Sequence, residues 1–264
     1  MKLNIDVVDA FTSTQFGGNS AAVIITDTWL TESLMQAIAA ENNLSETAFF
    51  VLEADKVELR WFTPNAEVDL CGHATLAAAH VLFQHLAYAK AEIIFTTRSG
   101  DLVVSRGSSG YVMDFPADMP KLITPPKDLL TGLGLDSTPS LTPTVMAAYD
   151  YIVVLENEAA VRQVKPDFNL LKLLDLRGVV ITAQGDNMDF VSRCFFPKLD
   201  VNEDPVTGSA HCELTPYWAQ KLNKTQLIAQ QLSSRTGLLK CELVNNRVQL
   251  MGQAVDYMRG EISI

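Results

Sequence analysis

The chain has 264 residues, 48% hydrophobic and 19% charged, so it can bury a large core and is neither disordered nor fibrous. Its net charge of -11 disfavours binding to nucleic acid or to an anionic membrane. Asp6 and Asp9 interrupt the apolar core that a signal peptide needs, and no run is long enough to span a membrane, so we expect a cytoplasmic protein.

The first part of the chain is typical of short strands separated by two helices. Segments rich in β-branched and aromatic residues predict strands at residues 4–8, 21–26, 47–52, 57–62, 93–97, 102–105 and 111–115. The spacing of Leu34 and Ile38 predicts a helix over 31–41, and a second helix over 74–86 is apolar on nearly every side. A helix without a polar face is expected to be buried.

A proline-rich stretch over 116–143 indicates a linker with one short helix near 127–133. We therefore predict two half-domains, residues 1–116 and 117–264, with the last strand, about 253–264, packing on the N-terminal half. Beyond the linker the patterns predict strands at residues 145–155, 178–183, 190–196, 238–243 and 248–251, and a main helix over 208–222.

The two halves repeat one pattern. An R-x-F-x-P signature occurs once in each half, formed by Arg60, Phe62 and Pro64 and again by Arg193, Phe195 and Pro197. An acidic stretch, a glycine and a helix then follow in both, the glycine being Gly72 or Gly208. This ordered recurrence indicates an internal duplication, with each half a β-rich layer around its own apolar helix. We expect a small-molecule site at the interface of two such halves.

Both predicted helix starts are candidates for binding an anion. The first turn of a helix presents backbone N–H groups and the positive end of the helix dipole, an arrangement that binds a carboxylate. The residues concerned are Gly72 and His73 in the first half and Gly208 and Ser209 in the second. The alternative is that the glycines only form turns and that Asp69 and Asp204 are caps.

Two further segments contain polar residues next to apolar strands. Glu46 stands between a predicted helix and a strand, and a carboxyl group among apolar neighbours can take up and return a proton near neutral pH. Asn19 follows two glycines and carries an amide that both donates and accepts hydrogen bonds. The alternatives are a solvent-facing glutamate and a plain turn.

Histidines and cysteines complete the candidates. His73 can exchange protons near neutral pH, or can simply begin a helix, whereas His80, His85 and His211 are predicted to be structural. Cys71, at a helix start, is either an acidified thiol or an inert core residue. The four cysteines show no disulfide or zinc spacing, and no nucleotide, serine-hydrolase or metalloenzyme motif is present, so no metal or cofactor is expected.

Four segments together resemble the phenazine-biosynthesis PhzF-like family, in order and along the whole chain: residues 17–23, 43–47, 69–76 and 203–210. The resemblance implies the α/β (α+β) fold of diaminopimelate epimerase, in which two pseudo-symmetric halves each wrap a curved mixed sheet around a central helix. It also implies a cofactor-free isomerase, commonly a homodimer; PhzF itself moves a proton on the ring of a dihydro-hydroxyanthranilic acid. Glu46 matches the family's acid/base, and His73, Asp204 and Ser209 match its substrate contacts.

These observations predict a cofactor-independent isomerase in which Glu46 moves a proton on a small carboxylate-bearing substrate. The predicted substrate-binding residues are Asn19, Gly72, His73, Asp204, Gly208 and Ser209. Related epimerases use two facing cysteines, but Pro205 stands where the second thiol is expected, which argues against a two-thiol mechanism. The alternatives are an amino-acid epimerase assisted by Cys71 and a non-catalytic binding or scaffold protein that keeps the fold.

Overall fold

The computed structural model describes residues 1–53, 56–135 and 143–264. The chain forms two compact units, one of Met1–Asp114 with Leu250–Ile264 and the other of Phe115–Gln249. Pro139, in the predicted linker, lies outside the described residues. No helix in the described parts is long and apolar enough to cross a membrane.

Eighteen strands, six α-helices and one short 3-10 helix, Pro197–Leu199, follow one another along the described chain. Up to the end of the eighth strand they are β1 Lys2–Ala10, β2 Asn19–Thr26, α1 Glu32–Asn42, β3 Glu46–Glu53, β4 Lys56–Phe62, β5 Glu67–Val68, α2 Gly72–His85, β6 Glu92–Thr97, β7 Gly100–Gly107 and β8 Gly110–Pro116. The others are β9 Lys121–Leu122, α3 Leu129–Gly132, β10 Thr144–Ala147, β11 Tyr151–Val154, α4 Glu158–Gln163, α5 Phe168–Leu171, β12 Val179–Gln184, β13 Phe190–Phe196, β14 Val201–Asp204, α6 Gly208–Leu222, β15 Gln226–Gln231, β16 Gly237–Val244, β17 Arg247–Gly252 and β18 Ala254–Ser263.

The first unit is a mixed sheet packed on helix α2. Strand β1 is antiparallel to β2 and β18, β2 is parallel to β3, and β3 is antiparallel to β4. Strand β4 is then parallel to β6, which is antiparallel to β7. Helix α2 lies against β1, β2 and β3, and every residue from His73 to Phe83 is buried. The prediction that this apolar helix is buried is confirmed.

The second unit repeats the same order of pairings. Strands β10 and β11 are antiparallel, β11 and β12 parallel, and β12 and β13 antiparallel. Strand β13 is parallel to β15, which is antiparallel to β16. Helix α6, whose predicted bounds are confirmed, packs on β15 and β16. The predicted fold of two pseudo-symmetric α/β halves is therefore correct.

The arginine of the repeated signature makes the same interaction in both units. Arg60 binds Glu67 through two hydrogen bonds of 2.6 Å, from Nε and Nη2 to the two carboxylate oxygens. Arg193 binds Glu203 in the same way, at 2.8 and 2.9 Å. Each guanidinium also lies over the ring of the phenylalanine two residues further along. The motif recurs because it fixes the strand ahead of each unit's main helix.

Several elements differ from the sequence predictions. The strand predicted over 145–155 is two strands, because the chain turns between Ala147 and Tyr151. Strand β15 was missed because four of its six residues are glutamine or alanine, so the alternation of large apolar and polar residues that indicates a strand is weak. The short helices α4 and α5 were also missed; each is one or two turns long and is started by a side-chain cap rather than by an apolar repeat.

Candidate active site

Four of the residues singled out in the first half of the sequence form one cluster. Glu46 begins strand β3, Asn19 begins β2, Cys71 is the N-cap of α2 and His73 is the second residue of that helix. Glu46 Oε2 lies 2.9 Å from His73 Nε2, and Asn19 Nδ2 lies 3.2 Å from His73 Nδ1. Cys71 Sγ is 3.5 Å from the same Nδ1. The histidine ring thus contacts the other three side chains.

Local backbone geometry sets two of these residues in place. Gly18 has a φ of +62°, and a Cβ at this position would collide with the carbonyl oxygen of Ala10. Only glycine therefore fits ahead of Asn19, whose side chain is completely buried. Asn43 ends helix α1 in the left-handed conformation, with φ of 48°, and turns the chain into the segment that leads to Glu46.

The electrostatics of the cluster favour a charged pair. Burial acts to lower the pKa of His73, but the contact with Cys71 and the negative charge of Glu46 outweigh burial and raise that pKa well above its ordinary value. Burial raises the pKa of the Cys71 thiol to about 11. At neutral pH we therefore expect a neutral thiol and an imidazolium facing Glu46. The Glu46 side chain keeps 16% of its surface exposed, while its Oε2 atom, which faces His73, is buried.

In the second unit, the predicted substrate-binding residues lie together at the start of α6. Thr207 is the N-cap, and Gly208 and Ser209 are the first two helical residues. The Thr207 hydroxyl donates to Asp204 Oδ2 at 2.5 Å, and the Thr207 N–H donates to Gln231 Oε1 at 2.9 Å. These bonds fix the loop between β14 and α6 and leave the N–H groups of Gly208 and Ser209 at the positive end of the helix.

Sequence reasoning missed a polar cluster beside Ser209. Arg177 donates from Nε and Nη2 to the carboxylate of Asp150, at 3.1 and 2.6 Å, and from Nη2 to Ser209 Oγ at 3.0 Å. Glu213, one helical turn beyond Ser209, is fully buried; burial, and then repulsion from Asp150, raise its pKa to about 9. The one available signal was an acidic residue on the buried face of a helix.

The remaining histidines are not part of either cluster. His211 is buried in α6 with Nδ1 2.7 Å from the Thr207 carbonyl oxygen, and burial lowers its pKa to about 4. A neutral His211 that donates to this carbonyl is a structural residue. His80 and His85 both face Asp256.

One oxygen, one sulfur and one nitrogen of Glu46, Cys71 and His73 lie within 4.8 Å of one another, which is close enough to ligate a single metal ion. A thiol binds a metal as the thiolate. Because burial raises the pKa of Cys71 and His73 is held by Glu46, this set fits proton transfer better than metal binding.

Comparison with known proteins gives a consistent result. A family model described as phenazine biosynthesis-like protein (PhzC-PhzF) matches residues 8–260. A Pseudomonas aeruginosa protein described as an uncharacterized isomerase is 49% identical over 264 residues and is matched over the full length of both chains. The crystal structure of a PhzF-family phenazine biosynthesis protein from Enterococcus faecalis matches with a TM-score of 0.95 and 47% identity, covering 100% of both chains.

A predicted epimerase from Pseudomonas aeruginosa has the same fold, with a TM-score of 0.74 and 19% identity over 98% of this chain and 99% of that one. The fold is thus one that epimerases share, and the chain is an isomerase. It belongs to the phenazine biosynthesis-like (PhzC-PhzF) family, so the resemblance found in its sequence is confirmed.

Proposed function

We propose that this isomerase works without a cofactor and uses Glu46 to move a proton on a small carboxylate-bearing substrate. The observation that carries the proposal is the distance of 2.9 Å between Glu46 Oε2 and His73 Nε2, inside a largely buried cluster in which the glutamate side chain stays partly exposed. A carboxylate held in this way is positioned to act first as a base and then as an acid.

The proposed reaction has two proton transfers. Glu46 takes a proton from a substrate carbon, and the electron pair left behind spreads into the adjacent unsaturated system. Glu46, now a carboxylic acid, exchanges this proton with solvent water, delivers a proton to another carbon and returns to the carboxylate. His73 holds the carboxylate in place from Nε2, and its positive charge offsets the negative charge that develops next to it.

Two observations favour a single glutamate over a pair of thiols. The raised pKa of Cys71 keeps its thiol protonated and therefore weakly nucleophilic and weakly basic. In the second unit, the helix start that matches Cys71 carries Thr207, the N-cap of α6, rather than the Pro205 assigned from the sequence. Glu67 and Glu203 each stand five residues before the glycine that begins the helix, so Cys71 and Thr207 match directly. Neither Thr207 nor Pro205 is a thiol.

The assignment of the substrate's carboxylate to Gly208 and Ser209 follows from the helix start and from the family resemblance. Two backbone N–H groups and one hydroxyl form a set of donors that suits a carboxylate. Contacts of Asn19, Gly72, His73 and Asp204 with the substrate stay predictions from the sequence, as do the homodimer and the cytoplasmic location.

Hydrogen exchange tests the proposal directly. Purified protein is incubated in D₂O with a panel containing dihydro-hydroxyanthranilic acid and common amino acids, and proton NMR reports deuterium entering a substrate. We expect exchange with the wild type, and a loss of about 100-fold or more with Glu46→Gln, since general acid–base groups contribute roughly 10²–10⁴-fold. Glu53→Gln, at the exposed far end of the same strand, is the matched control.

Cys71→Ala separates the proposal from the thiol alternative. We expect this variant to keep exchange, because a protonated thiol takes no part in the transfer. Exchange that survives Glu46→Gln but disappears in Cys71→Ala would overturn the proposal in favour of a thiol-assisted epimerase. Tight binding of a panel compound without exchange by the wild type would instead favour a binding protein that keeps the fold.

A further inference from the structure

A second cluster of ligand-type side chains lies further along helix α2. His80 and His85 come from the second half of this helix, and Asp256 comes from strand β18, which pairs with β1. Asp256 Oδ1 lies 3.1 Å from His80 Nε2 and 2.9 Å from His85 Nε2. We propose that these three residues form a binding site for a divalent transition metal, with zinc as the best match.

The spacing of the three atoms suits coordination. Zinc takes histidine nitrogens and carboxylate oxygens at about 2.0–2.2 Å in a tetrahedron, which places neighbouring ligand atoms about 3.3 Å apart. The two nitrogens are already 2.9 and 3.1 Å from the carboxylate oxygen, and all three atoms lie within 4.8 Å of one another. Each nitrogen-to-oxygen distance is thus within about 0.4 Å of the coordinating value.

Outer contacts hold the histidine ring in the orientation that a metal requires. His80 Nδ1 lies 3.0 Å from Tyr111 Oη, and Gln84 Nε2 donates to the same oxygen at 3.1 Å. In the tautomer that would bind a metal, His80 donates from Nδ1 to this hydroxyl, and Nε2, which otherwise donates to Asp256, presents its lone pair to the ion. Histidines that bind metals commonly have such a partner on the second nitrogen.

The proposed site is separate from the Glu46 cluster. His73 and His80 are seven residues apart on one helix, which corresponds to roughly 10 Å along its axis. The Asp256 side chain is 39% exposed, so an ion can enter and water can complete its coordination. A bound ion would tie strand β18 to α2 and stabilise the first unit by mass action.

The test is a metal titration of the full chain after treatment with a chelator. Isothermal titration with ZnCl₂ gives the affinity, and CoCl₂ gives a visible spectrum that reports nitrogen and oxygen ligands. We expect a single zinc site. Asp256→Asn should weaken zinc binding by at least about 100-fold, because changing a residue that only contacts a metal ligand already costs about 10- to 100-fold. Glu261→Gln, an exposed acid on the same strand, is the matched control and should change affinity less than twofold.

Two further variants make the outcome decisive. His85→Gln, near the end of α2, should weaken binding as Asp256→Asn does, and circular dichroism without metal checks that both variants fold. Cys71→Ser should leave binding unchanged. The proposal is overturned if the wild type shows neither heat nor cobalt absorption, if Asp256→Asn binds as the wild type does, or if Cys71→Ser abolishes a thiolate-to-cobalt absorption band.

Discussion

Glu213 gives a quantitative prediction about stability and pH. Its side chain is fully buried in α6, and the nearby Arg177 already donates two hydrogen bonds to Asp150. One guanidinium cannot neutralise two buried carboxylates, so Glu213 takes a proton, and burial together with Asp150 raises its pKa from 4.5 to about 9. Replacement by glutamine removes this titration and keeps the shape of the side chain.

The sign and size of the change in unfolding free energy with pH follow from proton linkage. Between pH 4.5 and 9 the folded chain keeps the Glu213 proton and the unfolded chain has lost it, so rising pH favours unfolding. Each pH unit in this window costs about 1.4 kcal/mol. From pH 5 to pH 7.5 the wild type should therefore lose roughly 3 kcal/mol relative to Glu213→Gln.

Urea unfolding followed by circular dichroism, at pH 5 and at pH 7.5, measures the two free energies for each protein. The two proteins are compared by how much their free energy of unfolding changes with pH, because the buried glutamine amide adds the same cost at pH 5 and at pH 7.5. Glu242→Gln, on a partly exposed position of β16, is the control and should follow the wild type. The reasoning would be refuted if the free energies of unfolding of the wild type and Glu213→Gln changed by the same amount between the two pH values, within about 1 kcal/mol.

Three other predictions concern the candidate site. Gly18→Ala should destabilise the fold by about 2 kcal/mol or more in urea unfolding, since its Cβ meets the Ala10 carbonyl in a left-handed turn; unchanged stability would contradict this. His73→Asn should lose stability most below pH 6.5 and match the wild type at high pH, because the stabilisation from a raised histidine pKa fades as pH passes it; a pH-independent difference would refute it. Ser209→Ala should raise KM about tenfold with kcat nearly unchanged, as expected for a lost hydrogen bond to a charged group; a fall in kcat alone would place Ser209 in the chemical step.

Much of the fold follows from patterns that are local in the sequence. Helix α6 was predicted with its observed bounds, since a glycine begins it and Asn223 ends it in the left-handed conformation. The duplication was visible in the sequence because Arg60 and Arg193 are each followed by a phenylalanine two residues later and by a glutamate that the arginine binds. Such features depend on neighbours a few residues apart.

The missed polar clusters depend on contacts between distant segments. Asp150 comes from a turn, Arg177 lies two residues before strand β12 and Glu213 is in the middle of a helix, and no spacing rule connects them. His85 and Asp256 are 171 residues apart in the chain and are brought together only by the pairing of β18 with β1. For such residues, sequence patterns give the chemical type but not the partner.

The duplicated fold also explains why only one unit carries the glutamate. Thr47 pairs with Phe62 in the first unit, and Val179 pairs with Phe195 in the second. Since these phenylalanines match in the repeat, Gly178 occupies the register position of Glu46.

No larger residue fits at Gly178. A Cβ there would lie 2.6 Å from the carbonyl oxygen of Phe195 and would collide with the ring of Phe196. The preceding residue, Arg177, instead reaches Ser209, the counterpart of His73 at the matching helix start. The Glu46 carboxylate and His73 in one unit are thus matched by a guanidinium and a hydroxyl in the other. Duplication followed by this divergence favours proton transfer by one glutamate over the symmetric pair of bases that two identical halves would provide.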